Sequence, residues 1–161
     1  MKKRFVVLAS AVALAVSAVV TAPVATAAPS DWDLVLTQDA PVFGEAIVVD
    51  GRVFERSWEA ILRDGSGKKV GMLFGTQRNF DATPGGGVEM RYRTLVFEFA
   101  DGQVIAQGVA KYKASGGLLK PGKRSTIAIT GGTGAYVGVT GELKTVHTGK
   151  GAHRQMLNFV D

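Results

Sequence analysis

Between Val88 and Lys113 the chain reads VEMRYRTLVFEFADGQVIAQGVAKYK. Two runs of strand-forming residues flank Asp101-Gly102, a pair that favours a tight hairpin turn. In the second run Val104, Ala106, Ala110 and Tyr112 share one face. Gln103, Gln107, Lys111 and Lys113 share the other, with Ile105 and Val109 among them. That alternation is the period of a half-buried β-strand and does not fit a helix. The first run is apolar on both faces near Leu95 to Phe99, so it calls for cover on the outside as well, such as a subunit interface.

Outward from this hairpin the same grammar repeats. Strands are expected at Trp32 to Gln38, Glu45 to Val49, Arg52 to Arg63, Lys68 to Phe80, Val88 to Phe99, Gln103 to Lys113, Lys123 to Thr130, Val137 to Thr148 and His153 to Val160. Turn residues separate them: Asp50-Gly51, Asp64-Gly65-Ser66-Gly67, a loop at 83–87 and another from Ser115 to Gly122. Phe54, Trp58, Ala60 and Leu62 oppose Glu55, Ser57, Glu59 and Arg63, while Val139, Leu143, Thr145 and His147 oppose Glu142 and Lys144. No segment carries a helical period. The reading is all-β, an antiparallel eight-stranded β-barrel, because a run of consecutive hairpins loses its free edges only by closing on itself.

Composition narrows the functions. The chain has 161 residues, no cysteine and two histidines. Disulfides, zinc-thiolate centres and cysteine nucleophiles are excluded, and two histidines without paired carboxylates at ligand spacing predict no metal. Lys2-Lys3-Arg4, the apolar run Phe5 to Val20 and the small residues of Ala25-Thr26-Ala27 follow the order of a secretory signal peptide. The expected organisation is a signal peptide over 1–27, cleaved near Ala27 after Sec-type export, and one barrel domain over 28–161, secreted and with no stable membrane span. Without the leader, 16 basic residues face 14 acidic ones. That balance argues against a nucleic-acid partner.

Ile129-Thr130-Gly131-Gly132-Thr133-Gly134-Ala135-Tyr136-Val137-Gly138 invites a nucleotide-binding reading. The gap from Gly134 to Gly138 is one residue too long for G-x-G-x-x-G, and a period-2 pattern follows in place of a helix. A glycine turn over Gly131 to Gly134, between two strands, is expected instead.

The same stretch, with Gly141-Glu142-Leu143 after it, resembles the signature of the allene oxide cyclase and dirigent barrel superfamily. Lys69-Val70-Gly71-Met72-Leu73-Phe74-Gly75 and Phe97-Glu98-Phe99-Ala100-Asp101-Gly102, leading to Gln107-Gly108, resemble two further blocks in the same order. The resemblance spans about Gly44 to Leu143. It implies an eight-stranded barrel with a largely apolar lumen, assembled as a homodimer or homotrimer. It also implies a small hydrophobic ligand (lipid-like, polyketide-like or phenolic) that is bound or oriented without a cofactor. The alternative it carries is a cofactor-free cyclase or isomerase of the allene oxide cyclase type. In the plant cyclases an acid on the first strand is the key polar group; here Leu34 takes that place, and Asp33 beside it faces the other way.

Polar groups on otherwise apolar faces are the candidates for ligand contact. Arg56 lies between Phe54 and Trp58, Gln77 follows Gly75, and Tyr92 and Glu98 share a face with Thr94 and Val96. Tyr112 ends the small-residue face of its strand, where its hydroxyl can stabilise an oxygen that gains charge. His147 leans inward and suits proton transfer near neutrality. An Arg56–Glu98 pair inside the barrel is expected, because a lone buried carboxylate is costly. Arg91 and Arg93 are assigned to an outer face, and His153 to a loop. No G-x-S-x-G elbow occurs, so no serine triad is predicted.

Overall fold

The computed structural model describes residues 32–81, 87–113 and 119–160. The expected leader, most of the loop at 83–87 and half of that at 115–122 lie outside the described residues. Nine strands run in chain order: β1 (Leu34–Gln38), β2 (Val42–Val49), β3 (Arg52–Arg63), β4 (Lys69–Asp81), β5 (Val88–Phe99), β6 (Gly102–Lys113), β7 (Arg124–Gly134), β8 (Thr140–Gly149) and β9 (Ala152–Val160). All pairings are antiparallel, in the order β1-β9-β8-β7-β6-β5-β4-β3-β2, and β1 also pairs with β3. The ring therefore holds eight strands. β1 and β2 share one edge of β3: Thr37 and Gln38 pair with Arg63 and Leu62, while β2 pairs with Arg52 to Glu59. Arg63 fixes this seam by donating from Nε and Nη2 to the Asp39 carboxylate at 2.9–3.1 Å, and the carboxylate in turn raises the guanidinium pKa.

The two-residue turn at Ala100-Asp101 sets the central register, with Phe99 opposite Gly102, Phe97 opposite Val104 and Leu95 opposite Ala106. Opposed residues share a face, so the odd-numbered residues of β5 turn inward. Leu36, Leu62, Leu73, Leu95, Phe97, Val104, Ile127, Ile129, Leu143 and Leu157 fill the lower lumen, each at most 5% exposed. Below them Phe99, Tyr136 and Phe159 close the barrel end, with ring centroids 5.4 and 6.3 Å apart. Burial, followed by the Asp101 charge, pushes the Tyr136 hydroxyl pKa up.

The glycine block departs from expectation. β7 continues through Gly134, and the turn lies at 135–138. The glycines serve close backbone approach: a Cβ on Gly132 would meet the Gln103 and Tyr136 carbonyl oxygens at 2.5 Å. Gly134, at φ +60°, would overlap the Asp101 carbonyl. A register shift between Ile105 and Ala106 marks the bulge where this crossing occurs.

Candidate functional site

The upper half of the lumen is polar. Each of six strands that puts an aliphatic or aromatic side chain into the lower core places a polar one on the same face, nearer the other end. They are Gln38 on β1, Glu89, Arg91 and Arg93 on β5, Tyr112 on β6, Ser125 on β7, Thr145 and His147 on β8, and His153 and Gln155 on β9, all buried. Together with Trp58, Leu73, Gln77 and Leu95, most of these line a cavity of about 40 Å³. Pro41, Phe43 and Leu119 stand at its border.

Arg93 lies opposite Gly108, which presents no side chain, and reaches across β6. Its Nη1 donates to the Tyr112 hydroxyl at 2.9 Å and its Nη2 to Ser125 Oγ at 3.1 Å, while Nε has no partner. Among the described residues no carboxylate bonds it. Arg91 donates from Nε to Glu89 and lies 4.0 Å over the Tyr112 ring, and its Nη2 is unpartnered. Among the described side chains, the lumen thus holds two buried guanidinium groups against one buried carboxylate. Across from them Thr145 Oγ1 donates to Gln155 Oε1 at 2.7 Å, and Gln155 Nε2 donates to Gln38 Oε1 at 2.6 Å.

His147 and His153 are cross-strand partners with ring centroids 4.9 Å apart. Both nitrogens of His147 and Nδ1 of His153 lack hydrogen bonds. Burial lowers the His153 pKa to about 4, helped by the charges of His147 and Arg93. The His153 imidazole is therefore neutral at pH 7 and able to accept a proton or a hydrogen bond. No trio of His, Cys, Asp or Glu gathers among the described residues.

The structure places the sequence candidates as follows. Tyr112 and His147 are buried in the upper lumen. Arg56 and Gln77 are cross-strand partners at the mouth, half-buried, and the Arg56 guanidinium lies 4.9 Å over the Phe43 ring with Nε unpartnered. Gln77 donates to Asn79 Oδ1 at 3.1 Å. Tyr92 and Glu98 lie on the outer surface; the Tyr92 hydroxyl donates to Gln107 Oε1 at 2.9 Å. The expected Arg56–Glu98 pair therefore does not form. Face assignment on β5 is shifted by one residue from expectation, which turns out Glu98 and turns in Arg91 and Arg93 (4% and 6% exposed). His153 is the second residue of β9 and is buried, not in a loop. Asp33 accepts the Phe159 backbone N–H at 2.6 Å, next to the closed end and away from the cavity.

Arg91 and Arg93 were detectable. The two-residue turn at Ala100-Asp101 opposes Glu98 to Gln103, and the pairing then carries Arg93 and Arg91 to the face of Ala106 and Ala110. Charge alone assigns them to the surface, and the register overrides it. Trp58 fits a further local rule: a Cβ on its partner Gly75 would overlap the indole, so glycine there lets the ring lie flat against β4.

A second concavity, of about 390 Å³, lies open on the outer wall between β2 and β5. Phe74, Thr76, Thr94 and Val96 contribute to it, and it contains no buried charge.

A family model described as the allene oxide cyclase barrel like domain matches residues 33–157. Among curated proteins none matches the sequence. Solved structures of the same fold include a pyocyanin demethylase, 23% identical with a TM-score of 0.61, covering 79% of this chain and 98% of that one. Another is described as a nonspecific heme-binding cyclase that catalyses a cycloaddition in neoabyssomicin biosynthesis; it is 18% identical with a TM-score of 0.56, over 78% of this chain and 60% of that one. The Diels Alderase AbmU from Streptomyces koyangensis is 18% identical with a TM-score of 0.54, over 79% of this chain and 62% of that one.

Proposed function

The chain belongs to the allene oxide cyclase barrel-like family, and on that premise we propose that it binds a small, largely apolar molecule at the polar mouth of its lumen. The observation that carries this reading is the layered lumen: buried polar side chains from five strands converge on one cavity above a sealed apolar core. Convergent polar groups in an otherwise apolar concavity are the general form of a small-molecule site. A volume of about 40 Å³ accepts a polar head group. The apolar body of the ligand lies outside it, against Pro41, Phe43, Trp58 and Leu119. The outer groove lacks such converging groups and is not the site.

The three solved structures named above are described as a demethylase, a cyclase and a Diels Alderase, and support a reading in which the bound molecule is held in one orientation. One observation favours an isomerase or cyclase over a binder. The Tyr112 hydroxyl accepts from Arg93, which leaves its own proton for a substrate oxygen, and the neutral His153 imidazole borders the same cavity. A donor and a base around one cavity are the parts that proton-transfer isomerisation needs.

The test is a fluorescence titration of the full chain with methyl 2-naphthoate, a neutral aromatic probe. We expect saturable quenching with a Kd below about 1 mM, lost in Trp58→Phe, whose remaining indole, Trp32, lies before the start of β1. Quenching that persists in Trp58→Phe, or that does not saturate, overturns the reading.

A further inference from the structure

We propose that this site selects organic carboxylates, and that Arg93 is the residue that reads the charge. The inference rests on the small-molecule reading above and gives it a chemical class. Arg93 is buried to 6% exposure, and its bonded neighbours are two neutral hydroxyls, those of Tyr112 and Ser125. A buried cation is costly unless an anion or several dipoles compensate it. Glu89, the buried carboxylate of the lumen, is taken by Arg91. The two imidazoles nearby supply no negative charge, and His153 is held neutral partly by Arg93 itself. Among the described side chains, the upper lumen therefore carries a positive charge without a counterion.

The unused donors have the matching arrangement. Nε of Arg93, Nη2 of Arg91 and Nε of Arg56 are all buried and unpartnered. Arg91 and Arg93 both line the cavity, and Arg56 stands at its mouth as the cross-strand partner of Gln77, another lining residue. Guanidinium groups bind planar carboxylates through charge-assisted hydrogen bonds that are stronger than neutral ones. A carboxylate fits the available space as a head group. The aromatic and aliphatic border of Pro41, Phe43, Trp58 and Leu119 then takes the hydrocarbon that bears it.

Calorimetry on the full chain at pH 7 compares 2-naphthoate with its neutral methyl ester. The carboxylate is expected to bind at least about tenfold more tightly. Arg93→Met is expected to bring the ratio of carboxylate to ester affinity to within about twofold of one, while Arg93→Lys, which keeps the charge, retains part of the preference. Equal affinity for the two probes overturns the carboxylate inference and leaves the mouth reading standing. Binding of neither overturns both. A preference that survives Arg93→Met overturns the role given to Arg93.

A second measurement uses the unmodified chain and covers the case in which Arg93→Met does not fold. Bound 2-naphthoate places a negative charge near His153 and should raise the midpoint of its imidazole titration, followed by NMR, above that seen with the ester. An equal midpoint with both probes overturns the inference.

Discussion

The two halves of the lumen are built by the same strands and obey different rules. On β5 the inward residues run Glu89, Arg91, Arg93, then Leu95 and Phe97; on β9 they run His153, Gln155, then Leu157; on β1, Gln38 and then Leu36. The change from polar to apolar falls at one level around the ring. Below it, side chains are chosen by volume and packing. Above it, a cation lacks a counter-charge among the described side chains and both nitrogens of His147 lack hydrogen bonds, features that lower stability and that persist where a site requires them. The contrast teaches that strand alternation alone specifies which residues enter the barrel, while their position along the strand separates support from chemistry.

Stability measurements can break this division most directly. Phe97→Ala, in the lower half, is expected to cost about 3–5 kcal/mol in urea unfolding, because a fully buried aromatic ring leaves a cavity that eight strands cannot collapse into. Arg93→Met, two pairs higher on the same face, is expected to change stability by less than about 1–2 kcal/mol, since an apolar side chain replaces a buried cation that lacks an acid. Equal losses at the two positions would remove the distinction between the halves.

Acid provides the next largest effect and acts on the upper half. His153 has an ordinary pKa of 6.5 in the unfolded chain and about 4 in the folded one. Between those values the unfolded chain binds more protons, so stability rises with pH; it is full above about pH 6.5 and falls as pH drops toward 4. The loss from this residue reaches up to about 3 kcal/mol. Urea midpoints at pH 7 and 4.5 measure it, with His153→Gln as the reference in which this part of the slope is absent. An unchanged slope in that variant shows that His153 does not carry the effect.

The smallest effect tests inside against outside. Glu98→Gln is expected to alter stability by less than about 0.5 kcal/mol and to leave 2-naphthoate affinity unchanged, because the side chain lies on the outer surface. A loss of affinity would return Glu98 to the lumen and reverse the face assignment of β5.

Much of the fold was legible because burial in a barrel is periodic. Arg52 to Arg63 and Val88 to Phe99 have the bounds that alternation and turn residues predict. The face of Val104, Ala106, Ala110 and Tyr112 is buried as its pattern requires. The site was harder to read for a physical reason: it inverts the rule that charged residues face water. Arg91 and Arg93 read as surface, and Tyr92 with Val96 read as interior, because β5 carries apolar residues on both faces. Val96 and its cross-strand partner Phe74 instead line the outer groove. His153 was set apart by the glycine before it, although Gly151 belongs to a tight turn and the strand resumes at Ala152. The glycine block was read as a turn when its glycines in fact let a strand pass close to two neighbouring turns.

The seam also constrains the order of events during synthesis. Each hairpin from β3 to β9 joins neighbours in sequence and can form as soon as its second strand exists. The ring cannot: β1 pairs with β9 through Leu34 opposite Leu157 and Gln38 opposite His153, contacts that span nearly the whole described chain. A ribosome delivers residue 34 long before residue 157, so any sheet formed before β9 has two bare edges. Contacts of such long range are slow to form, and bare edges invite pairing with other chains. The residues of β9 are thus the ones that end the period of greatest exposure to aggregation, and a chain stopped short of β9 would keep its edges permanently.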